Sequence, residues 1–302
     1  MKGKMYSVKI PATSANMGVG FDSTGLAIEL YNEIHFFEIE EPLVIETDKP
    51  EANVPKDRRN LIYRAAKYTA EKFNKKLPGL YMKQFDSIPS TRGLGSSAAC
   101  IVGGICIADT LLELKLDRTQ MLNIATELEG HPDNVAPAIF GGVCISAVDG
   151  GKVVSHPIPI RDDLSVAVLI PSFTLSTKKA RSVLPEQVSM ADAINNISRE
   201  GLLISALYSG NYDLLSTALQ DRLHQPYRKR LIAGYDKVTK ISGECGAYAS
   251  CISGAGPTIL SFFPANGEDI EDVLNSRLSQ IAGGWRAIVA PFDRQGYTLK
   301  EI

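Results

Sequence analysis

The segment of the sequence best suited to chemistry is IPSTRGLGSSAACIVGGICIAD, residues 88–109. Its two loop glycines, Gly93 and Gly95, permit backbone conformations that bulkier residues avoid. Ser96 and Ser97 then open a predicted helix, whose first backbone N–H groups and positive dipole end attract anions. Two hydroxyl groups at that point can contact phosphate oxygens or Mg²⁺. The same pattern also fits a serine-capped core helix after a glycine turn, and it matches neither GxxxxGK[ST] nor GxGxxG.

A polar loop near the N-terminus, PATSANMGVGFDSTGLAI (residues 11–28), is the second candidate segment. The side chains of Thr13, Ser14, Asn16 and Asp22 surround two glycines, and Asp22 carries the only charge. A loop of small residues with one carboxylate suits the recognition of a compact polar ligand. A plain link between two strands is the alternative interpretation.

A carboxylate at the end of a predicted helix marks the third segment, ELEGHPDNVAPAIFGGV, residues 127–143. Glu129 lies at the helix C-terminus, where its charge opposes the helix dipole at a cost of a few tenths to about 1 kcal/mol. A bound cation would offset that cost, so Glu129 is a candidate Mg²⁺ ligand, although exposed glutamates are common at helix ends. His131, Asp133 and Asn134 follow directly. A lone histidine beside a turn is more often a structural residue than a catalyst.

The second half of the chain holds two arginine-containing segments and another glycine loop. TKKARSVLP contains Arg181, and DRLHQPYRKRL contains His224 and Arg228. Taken singly, each arginine is typical of a solvated surface charge. SGAGPT, residues 253–258, is by itself typical of a tight hairpin.

Composition excludes several classes of protein. The 302 residues carry a net charge of −2, with 44% hydrophobic and 22% charged residues, so neither nucleic acid nor an anionic membrane is expected as a partner. Five cysteines without a CxxC pair indicate reduced thiols in a cytoplasmic protein and no zinc site. The N-terminus lacks the apolar core of a secretory signal. The longest apolar run, residues 98–108, is shorter than the roughly 18 residues that suggest a membrane span.

Hydrophobic periodicity predicts the elements that position these residues. Strands are predicted at residues 8–11, 25–37, 166–170, 248–252, 258–263 and 285–291. Helices are predicted at residues 60–73, 96–114, 118–129, 191–208, 212–219, 232–241 and 268–281. Because strands and helices alternate without a regular βα repeat, the sequence predicts an α+β fold. A composition shift at residues 149–163 predicts a boundary between one domain at 1–155 and a second at 156–302.

Together, the segments resemble the kinase superfamily that includes galactokinase, homoserine kinase, mevalonate kinase and phosphomevalonate kinase. GLGSSAA looks like its phosphate-binding loop, and SGAGPT looks like its C-terminal glycine motif. PATSANMGVGFDSTGLA, EGHPDNVAPAIFGG, TKKARSVLP and DRLHQPYR are similar to the homoserine kinase branch. The resemblance implies an ATP-binding N-terminal domain of the ribosomal-protein-S5 type. It also implies a ferredoxin-like C-terminal domain that completes the substrate site.

The resemblance also implies a function and a set of site residues. The expected reaction is ATP-dependent phosphorylation of the L-homoserine hydroxyl, a step of threonine biosynthesis, with Mg²⁺ as cofactor and a homodimer as a possible assembly. The implied catalytic residues are Glu129, Asn134 and Arg181, and the implied Mg²⁺ ligands are Ser97 and Glu129. The implied ATP-binding residues are Pro89, Ser90, Thr91, Arg92, Gly93, Leu94, Gly95, Ser96, Ser97, Ala98 and Ala99. The implied substrate-binding residues are Asn16, Asp22, His131, Asn134, Thr177, Arg181 and Arg228.

The charges fit that substrate. Asp22 can pair with the ammonium of homoserine, and an arginine can bind its carboxylate bidentately, which leaves the second arginine to face the γ-phosphate. Asn134 or Asn16 can orient the hydroxyl. We expect direct in-line transfer without a dedicated base and a structural Asp133. The alternatives are a kinase of another small alcohol, which Asp22 disfavours, and a binding protein that has lost catalysis. A dinucleotide-dependent oxidoreductase is disfavoured by the missing GxGxxG.

Overall fold

A computed structural model describes residues 4–49, 54–265 and 269–302, and in these residues eleven strands form two sheets. The strands are β1 (Tyr6–Ala15), β2 (Thr24–Ile39), β3 (Leu43–Thr47), β4 (Gly79–Asp86), β5 (Val143–Asp149), β6 (Lys152–Ile158), β7 (Leu164–Ile170), β8 (Ala249–Ile252), β9 (Ile259–Pro264), β10 (Arg286–Ala290) and β11 (Thr298–Glu301). The α-helices are α1 (Leu61–Lys72), α2 (Ser96–Leu112), α3 (Arg118–Glu129), α4 (Pro132–Phe140), α5 (Thr177–Arg181), α6 (Met190–Ser209), α7 (Leu215–Ala218), α8 (Gln225–Arg228), α9 (Tyr235–Glu244) and α10 (Ile270–Leu278).

The first sheet has the strand order β11-β1-β2-β4-β3, and β5 and β6 extend it from the start of β2. Its pairs are antiparallel except for β3 with β4. Strand β2 holds the sheet together because its 16 residues pair with β5 at one end and with β4 at the other. Helices α2 and α4 both contact β1 and β2. The sheet therefore carries the helix ends from which the candidate site is built.

Helix α2 is buried on almost every side, as its uniformly apolar sequence predicts. Two glycines let it approach its neighbours closely. A Cβ at Gly104 would lie 2.4 Å from the carbonyl oxygen of Ile62 in α1, and a Cβ at Gly103 would lie 2.4 Å from Cδ1 of Ile34. Helix α2 is thus clamped between α1 and the sheet, and its N-terminus at Ser96 is fixed in position.

The second sheet has the order β10-β7-β9-β8. Strand β7 is buried on both faces, and its residues alternate between two hydrophobic clusters. Val166 and Val168 belong to the large core shared with the first sheet, whereas Ala167 and Leu169 contact the cluster that includes residues of α9 and α10. The large core thus runs continuously from one sheet to the other.

The predicted α+β class agrees with this architecture. The elements that were not predicted are strands β3 to β6 and β11 and helices α4, α5 and α8. The predicted boundary after residue 155 lies inside β6, and β11 pairs with β1, so the first sheet is built from both ends of the chain. The division at 1–155 and 156–302 stays a prediction. The predicted start of the last helix, residue 268, lies outside the described residues. In the described part of the chain, no helix is both long and apolar enough to cross a membrane.

Candidate active site

Most of the predicted site residues line one cleft of about 450 Å³. Its walls come from the loop after β1, the loop before α2, the junction of α3 and α4, helices α5 and α8, and the loop between β8 and β9. These segments are far apart in the sequence. The two sheets and the shared core bring them together.

The glycine loop before α2 has the geometry of an anion site. Gly93 and Gly95 have φ angles of 74° and 66°, in the left-handed region, and Gly95 caps α2 without a side-chain hydrogen bond. A Cβ at Gly93 would lie 2.3 Å from the carbonyl oxygen of Ser253 in the SGAGPT loop. The Ser253 hydroxyl donates to the Gly93 carbonyl at 2.5 Å. The two glycine loops therefore support each other, and SGAGPT is more than an isolated hairpin.

Ser97 and Glu129 lie side by side at the mouth of the cleft. The Ser97 hydroxyl donates to Oε2 of Glu129 at 2.8 Å, across 32 positions of sequence. Ser97 is in the first turn of α2, and Glu129 is the last residue of α3. The start of α2 thus offers backbone N–H groups to an anion, and the Glu129 carboxylate and the Ser97 hydroxyl offer oxygen ligands to a cation.

Asp22 and Arg181, which also line the cleft, form a bidentate ion pair. The guanidinium donates to the two carboxylate oxygens at 2.8 Å and 3.1 Å. This hydrogen bond, opposed by partial burial, raises the pKa of Arg181. Asn16 supports the loop that carries Asp22, because its Oδ1 accepts from the Asp22 backbone N–H at 3.0 Å and its Nδ2 donates to the Gly254 carbonyl at 2.9 Å. The Asn16 amide is thus used to shape the loop.

Arg228 is buried, which corrects its interpretation as a solvated charge. Only 1% of the residue is exposed, yet it lines the cleft. Burial, and then the charge of Arg181, lowers the pKa of Arg228 to about 10. Nη1 of Arg228 donates to the Gly254 carbonyl at 3.0 Å and lies 3.2 Å from Nδ1 of His224. The cleft therefore contains one paired and one buried guanidinium.

The start of α4 brings three polar side chains to the cleft floor. Nδ1 of His131 lies 2.5 Å from a carboxylate oxygen of Asp133. Burial by itself would lower the pKa of His131, but the Asp133 hydrogen bond and charge together raise it. Asn134 accepts a hydrogen bond from the Thr13 hydroxyl at 3.0 Å. Ligand atoms of Asp22, His131 and Asp133 lie within 4.8 Å of one another. Asp22 is paired with Arg181 and His131 with Oδ1 of Asp133, whereas the buried Oδ2 of Asp133 has no hydrogen-bond partner among the described residues. The Arg181 cation beside this cluster disfavours a metal ion there.

All seven predicted substrate-binding residues and both predicted Mg²⁺ ligands line the cleft. The predicted ATP-binding segment does so only in part. The Arg92 guanidinium reaches away from the cleft, to the carbonyls of Pro171 at 3.1 Å and Ser172 at 2.8 Å. The Ala99 N–H donates to the Gly95 carbonyl at 2.9 Å, so the helical ladder has already begun there. Ser90 and Ala98, like Arg92 and Ala99, are not among the described residues that line the cleft.

Two neighbours of the charged groups were not assigned a role from the sequence. The Phe21 ring lies 5.3 Å from the Arg228 guanidinium carbon, 5.7 Å from that of Arg181 and 5.3 Å from the His224 ring. The signal in the sequence that could have indicated its place near the site is its position directly before Asp22. An aromatic face beside two cations favours their charged forms. His224, the second such neighbour, belongs to the DRLHQPYRKRL segment but does not line the cleft.

Comparisons with known proteins agree with this geometry. Two family models match the chain: the GHMP kinases N terminal domain at residues 60–142 and the GHMP kinases C terminal domain at residues 203–280. A homoserine kinase from Caldicellulosiruptor bescii is 43% identical over 302 residues, which cover 99% of this chain and 98% of that protein. One from Clostridium botulinum (strain Alaska E43 / Type E3) is 43% identical over 296 residues, with 98% of each chain covered.

The crystal structure of homoserine kinase from Cytophaga hutchinsonii superimposes with a TM-score of 0.88 at 27% identity and covers 98% of each chain. The fold and the site therefore define a GHMP kinase with two domains. Within that class, the chain belongs to the homoserine kinase family.

Proposed function

We propose that the protein transfers the γ-phosphoryl group of ATP to the side-chain hydroxyl of L-homoserine, with Mg²⁺ as cofactor, as a step of threonine biosynthesis. The observation that carries the proposal is that one cleft combines two sets of groups. The Ser97–Glu129 pair and the start of α2 are suited to phosphates and are called here the phosphate end. Asp22, Arg181 and Arg228 are suited to an amino acid and are called the amino-acid end.

The donor set at the phosphate end fits Mg²⁺. Ser97 and Glu129 supply a hydroxyl and a carboxylate oxygen, and Mg²⁺ commonly uses one or two protein oxygen ligands together with substrate phosphates and water. When bound, Mg²⁺ supplies positive charge to the transferring phosphoryl group. The protein's own contribution is to hold the phosphates against the backbone N–H groups of Ser96 and Ser97.

The amino-acid end fits homoserine group by group. Asp22 binds the ammonium of homoserine, which takes the place of the Arg181 guanidinium as the partner of the Asp22 carboxylate. An arginine so released, or Arg228, binds the carboxylate through charge-assisted hydrogen bonds. Asn134 orients the hydroxyl, since its Oδ1 is engaged by Thr13 and its amide N–H groups are the end available to a ligand. Mevalonate and sugars have no ammonium for Asp22, which disfavours them as substrates.

We propose that no side chain acts as a dedicated base. Asp133 is buried and hydrogen-bonded to His131, so its role is to orient that ring. Phosphoryl transfer depends chiefly on positioning and on charge stabilisation rather than on a strong base. In-line attack by the homoserine hydroxyl, with its oxygen aligned by Asn134, meets that requirement.

An ADP-release assay with MgATP tests the function directly. We expect homoserine to stimulate ADP release well above the rate without an acceptor, and serine, mevalonate and galactose to be poor acceptors. Stimulation by mevalonate or galactose in place of homoserine would contradict the substrate assignment and support a kinase of another alcohol. ADP release that no acceptor stimulates would support a protein that has lost catalysis.

We also propose that the protein forms a homodimer. The exposed side of α6 carries Met190, Ile194, Ile197 and Tyr208, and an apolar stripe of this kind on a surface helix favours association. Light scattering coupled to size exclusion measures the oligomeric state, and an Ile194→Glu, Ile197→Glu double variant should shift a dimer to the monomer. A monomeric wild type contradicts this assembly.

We propose the cytoplasm as the compartment in which the protein works. All five cysteines are free thiols, which fits a reducing compartment.

A further inference from the structure

His224 connects the two halves of the charged end of the cleft. It is fully buried between the loop that carries Asp22 and the helix that carries Arg228. Its Nε2 lies 2.6 Å from the Gly18 carbonyl oxygen, and its Nδ1 lies 3.2 Å from Nη1 of Arg228. A single ring therefore touches both segments that contribute charge to the site.

The partners of His224 allow only one protonation state. The Gly18 carbonyl accepts hydrogen bonds and cannot donate, so Nε2 must carry the proton. The Arg228 guanidinium donates and cannot accept, so Nδ1 must be unprotonated. The imidazole is thus neutral and Nε2-protonated. Burial, opposed by Asp221 and reinforced by Arg228, lowers the pKa of His224 to about 4, in agreement with this assignment.

Asp221 does not compete for the imidazole proton, although Oδ2 lies 3.7 Å from Nε2. Its carboxylate is already saturated by four donors: the backbone N–H groups of Leu223, His224 and Gln225, and Nδ2 of Asn196. Asn196 uses the same amide nitrogen to donate to the Val19 carbonyl at 3.1 Å. Asp221 and Asn196 therefore anchor the backbone at His224 and leave its ring to face Arg228.

The partners of Arg228 are neutral. Its side chain donates to the carbonyls of Ala180 and Gly254 and contacts the Nδ1 lone pair of His224. Among the described residues it makes no ion pair, whereas Arg181 is paired with Asp22. A guanidinium without a carboxylate partner can form charge-assisted hydrogen bonds to an incoming anion without first giving up an ion pair. Neutral acceptors can aim such a cation without cancelling its charge.

On the basis of the proposed function, we propose that His224 is a positioning residue, which holds the Arg228 guanidinium in register with the Asp22 loop while leaving its positive charge for an anionic group of the reactants. The side chain acts through Arg228 and Gly18 and touches no substrate itself. This role accounts for a histidine at a position where aspartate or glutamate would aim the arginine equally well but would neutralise it.

The test is a double-mutant cycle with variants that differ in what they offer to Arg228. His224→Leu removes both ring nitrogens, His224→Gln keeps a neutral acceptor because its Oε1 can take the place of Nδ1, and His224→Glu supplies an acceptor that carries charge. We expect His224→Leu to lower kcat/KM for homoserine at least about tenfold and to change the KM for ATP by less than about twofold. His224→Gln should retain more activity than His224→Leu, and His224→Glu should be less active than His224→Gln although it can also accept a hydrogen bond from Arg228. In an Arg228→Ala background, His224→Leu should cause little further loss, because its effect passes through Arg228.

Losses that simply add in the double variant would overturn the proposal, as would a His224→Glu variant as active as the wild type. His156→Gln, an exposed histidine on β6, is the matched control and should behave as the wild type. Melting temperatures identify any variant that fails to fold. In that case the protonation state of the His224 ring in the wild-type protein tests the proposal. Its ¹⁵N spectrum should show the neutral Nε2-protonated tautomer at about pH 7, and Arg228→Lys should shift the Nδ1 resonance. A charged or Nδ1-protonated ring contradicts the proposal even if homoserine proves not to be the substrate.

Discussion

The Arg181 guanidinium donates to both carboxylate oxygens of Asp22, at 2.8 Å and 3.1 Å, and both residues line the cleft. Both side chains are more than one-third exposed, at 40% and 35%. Ion pairs with this exposure typically contribute about 0.2–1 kcal/mol. An incoming amino acid can therefore replace the pair at small cost, with its ammonium on Asp22 and its carboxylate on a guanidinium.

Asp22→Asn should raise the KM for homoserine at least about tenfold, because it leaves the ammonium without a charged partner and a factor of ten corresponds to about 1.4 kcal/mol. The KM for ATP should change little. Steady-state kinetics with each substrate varied measures both values. Asp57→Asn is the control, since Asp57 forms an exposed bidentate pair with Arg59 outside the cleft. Wild-type turnover of 4-hydroxybutyrate equal to that of homoserine would show that Asp22 does not read an ammonium.

Glu129→Gln should lower kcat by about tenfold or more and raise the Mg²⁺ concentration needed for half-maximal rate, because a neutral amide is a poorer Mg²⁺ ligand than a carboxylate. Ser97→Ala should act in the same direction with little change in melting temperature. A Mg²⁺ titration of the rate at saturating ATP measures the effect. Glu127→Gln lies two residues away and breaks a pair with Lys72 instead, so it should leave the Mg²⁺ dependence unchanged. Full activity of Glu129→Gln at limiting Mg²⁺ excludes Glu129 from the metal site.

Gly93→Ala should destabilise the fold and weaken ATP binding together. At φ 74° any side chain is strained, and here the added Cβ would also lie 2.3 Å from the Ser253 carbonyl. Gly151→Ala is the matched control, with φ 80° and open space around the new Cβ. It should cost only the conformational strain, about 1–2 kcal/mol. Denaturant unfolding and the KM for ATP measure the two effects. Equal losses in both variants would show that the contact between the glycine loops is unimportant.

The half-buried Glu200 should make stability fall as the pH rises above about 4.5. Its carboxyl accepts a hydrogen bond from Thr24, and burial raises its pKa despite that bond. A group with a raised pKa binds its proton more tightly in the folded state, so its stabilising contribution is complete below the unfolded pKa and is lost as the pH passes the folded pKa. Glu200→Gln should therefore melt higher than the wild type near neutral pH, and the difference should shrink toward about pH 4.5. The exposed Glu186→Gln is the control. A Glu200→Gln variant that melts lower at every pH contradicts this prediction.

The sequence predicted the local features of the site better than their contacts. The glycine loop, the start of α2 at Ser96 and the end of α3 at Glu129 follow from local rules about glycine and helix ends. The Ser97–Glu129 contact across 32 residues needs the packing of α2 against α3, which periodicity does not specify. The burial of Arg228 was missed because a charged motif has the same composition at a surface and in a cleft.

Some elements of the fold could not be predicted for equally physical reasons. Helix α4 contains Pro132 and Pro137, and prolines usually indicate a loop. Pro132 is tolerated because it occupies the first turn of the helix, where its missing N–H has no intrahelical role. Strands β5 and β6 flank the turn at Gly150 and Gly151 and pair with each other, a local hairpin signal that the predicted domain boundary in this segment concealed.

The return of β11 to the first sheet makes one edge of that sheet depend on a contact between distant parts of the chain. Thr298 to Glu301 pair with the opening residues of β1, so a segment from the second half of the sequence covers the outer edge of a sheet built largely from the first half. Before that pairing forms, β1 has one unpaired edge, which is the kind of surface that recruits strands from other chains. Protection of this edge therefore requires a long-range contact, and such contacts form slowly because the intervening chain must first be ordered.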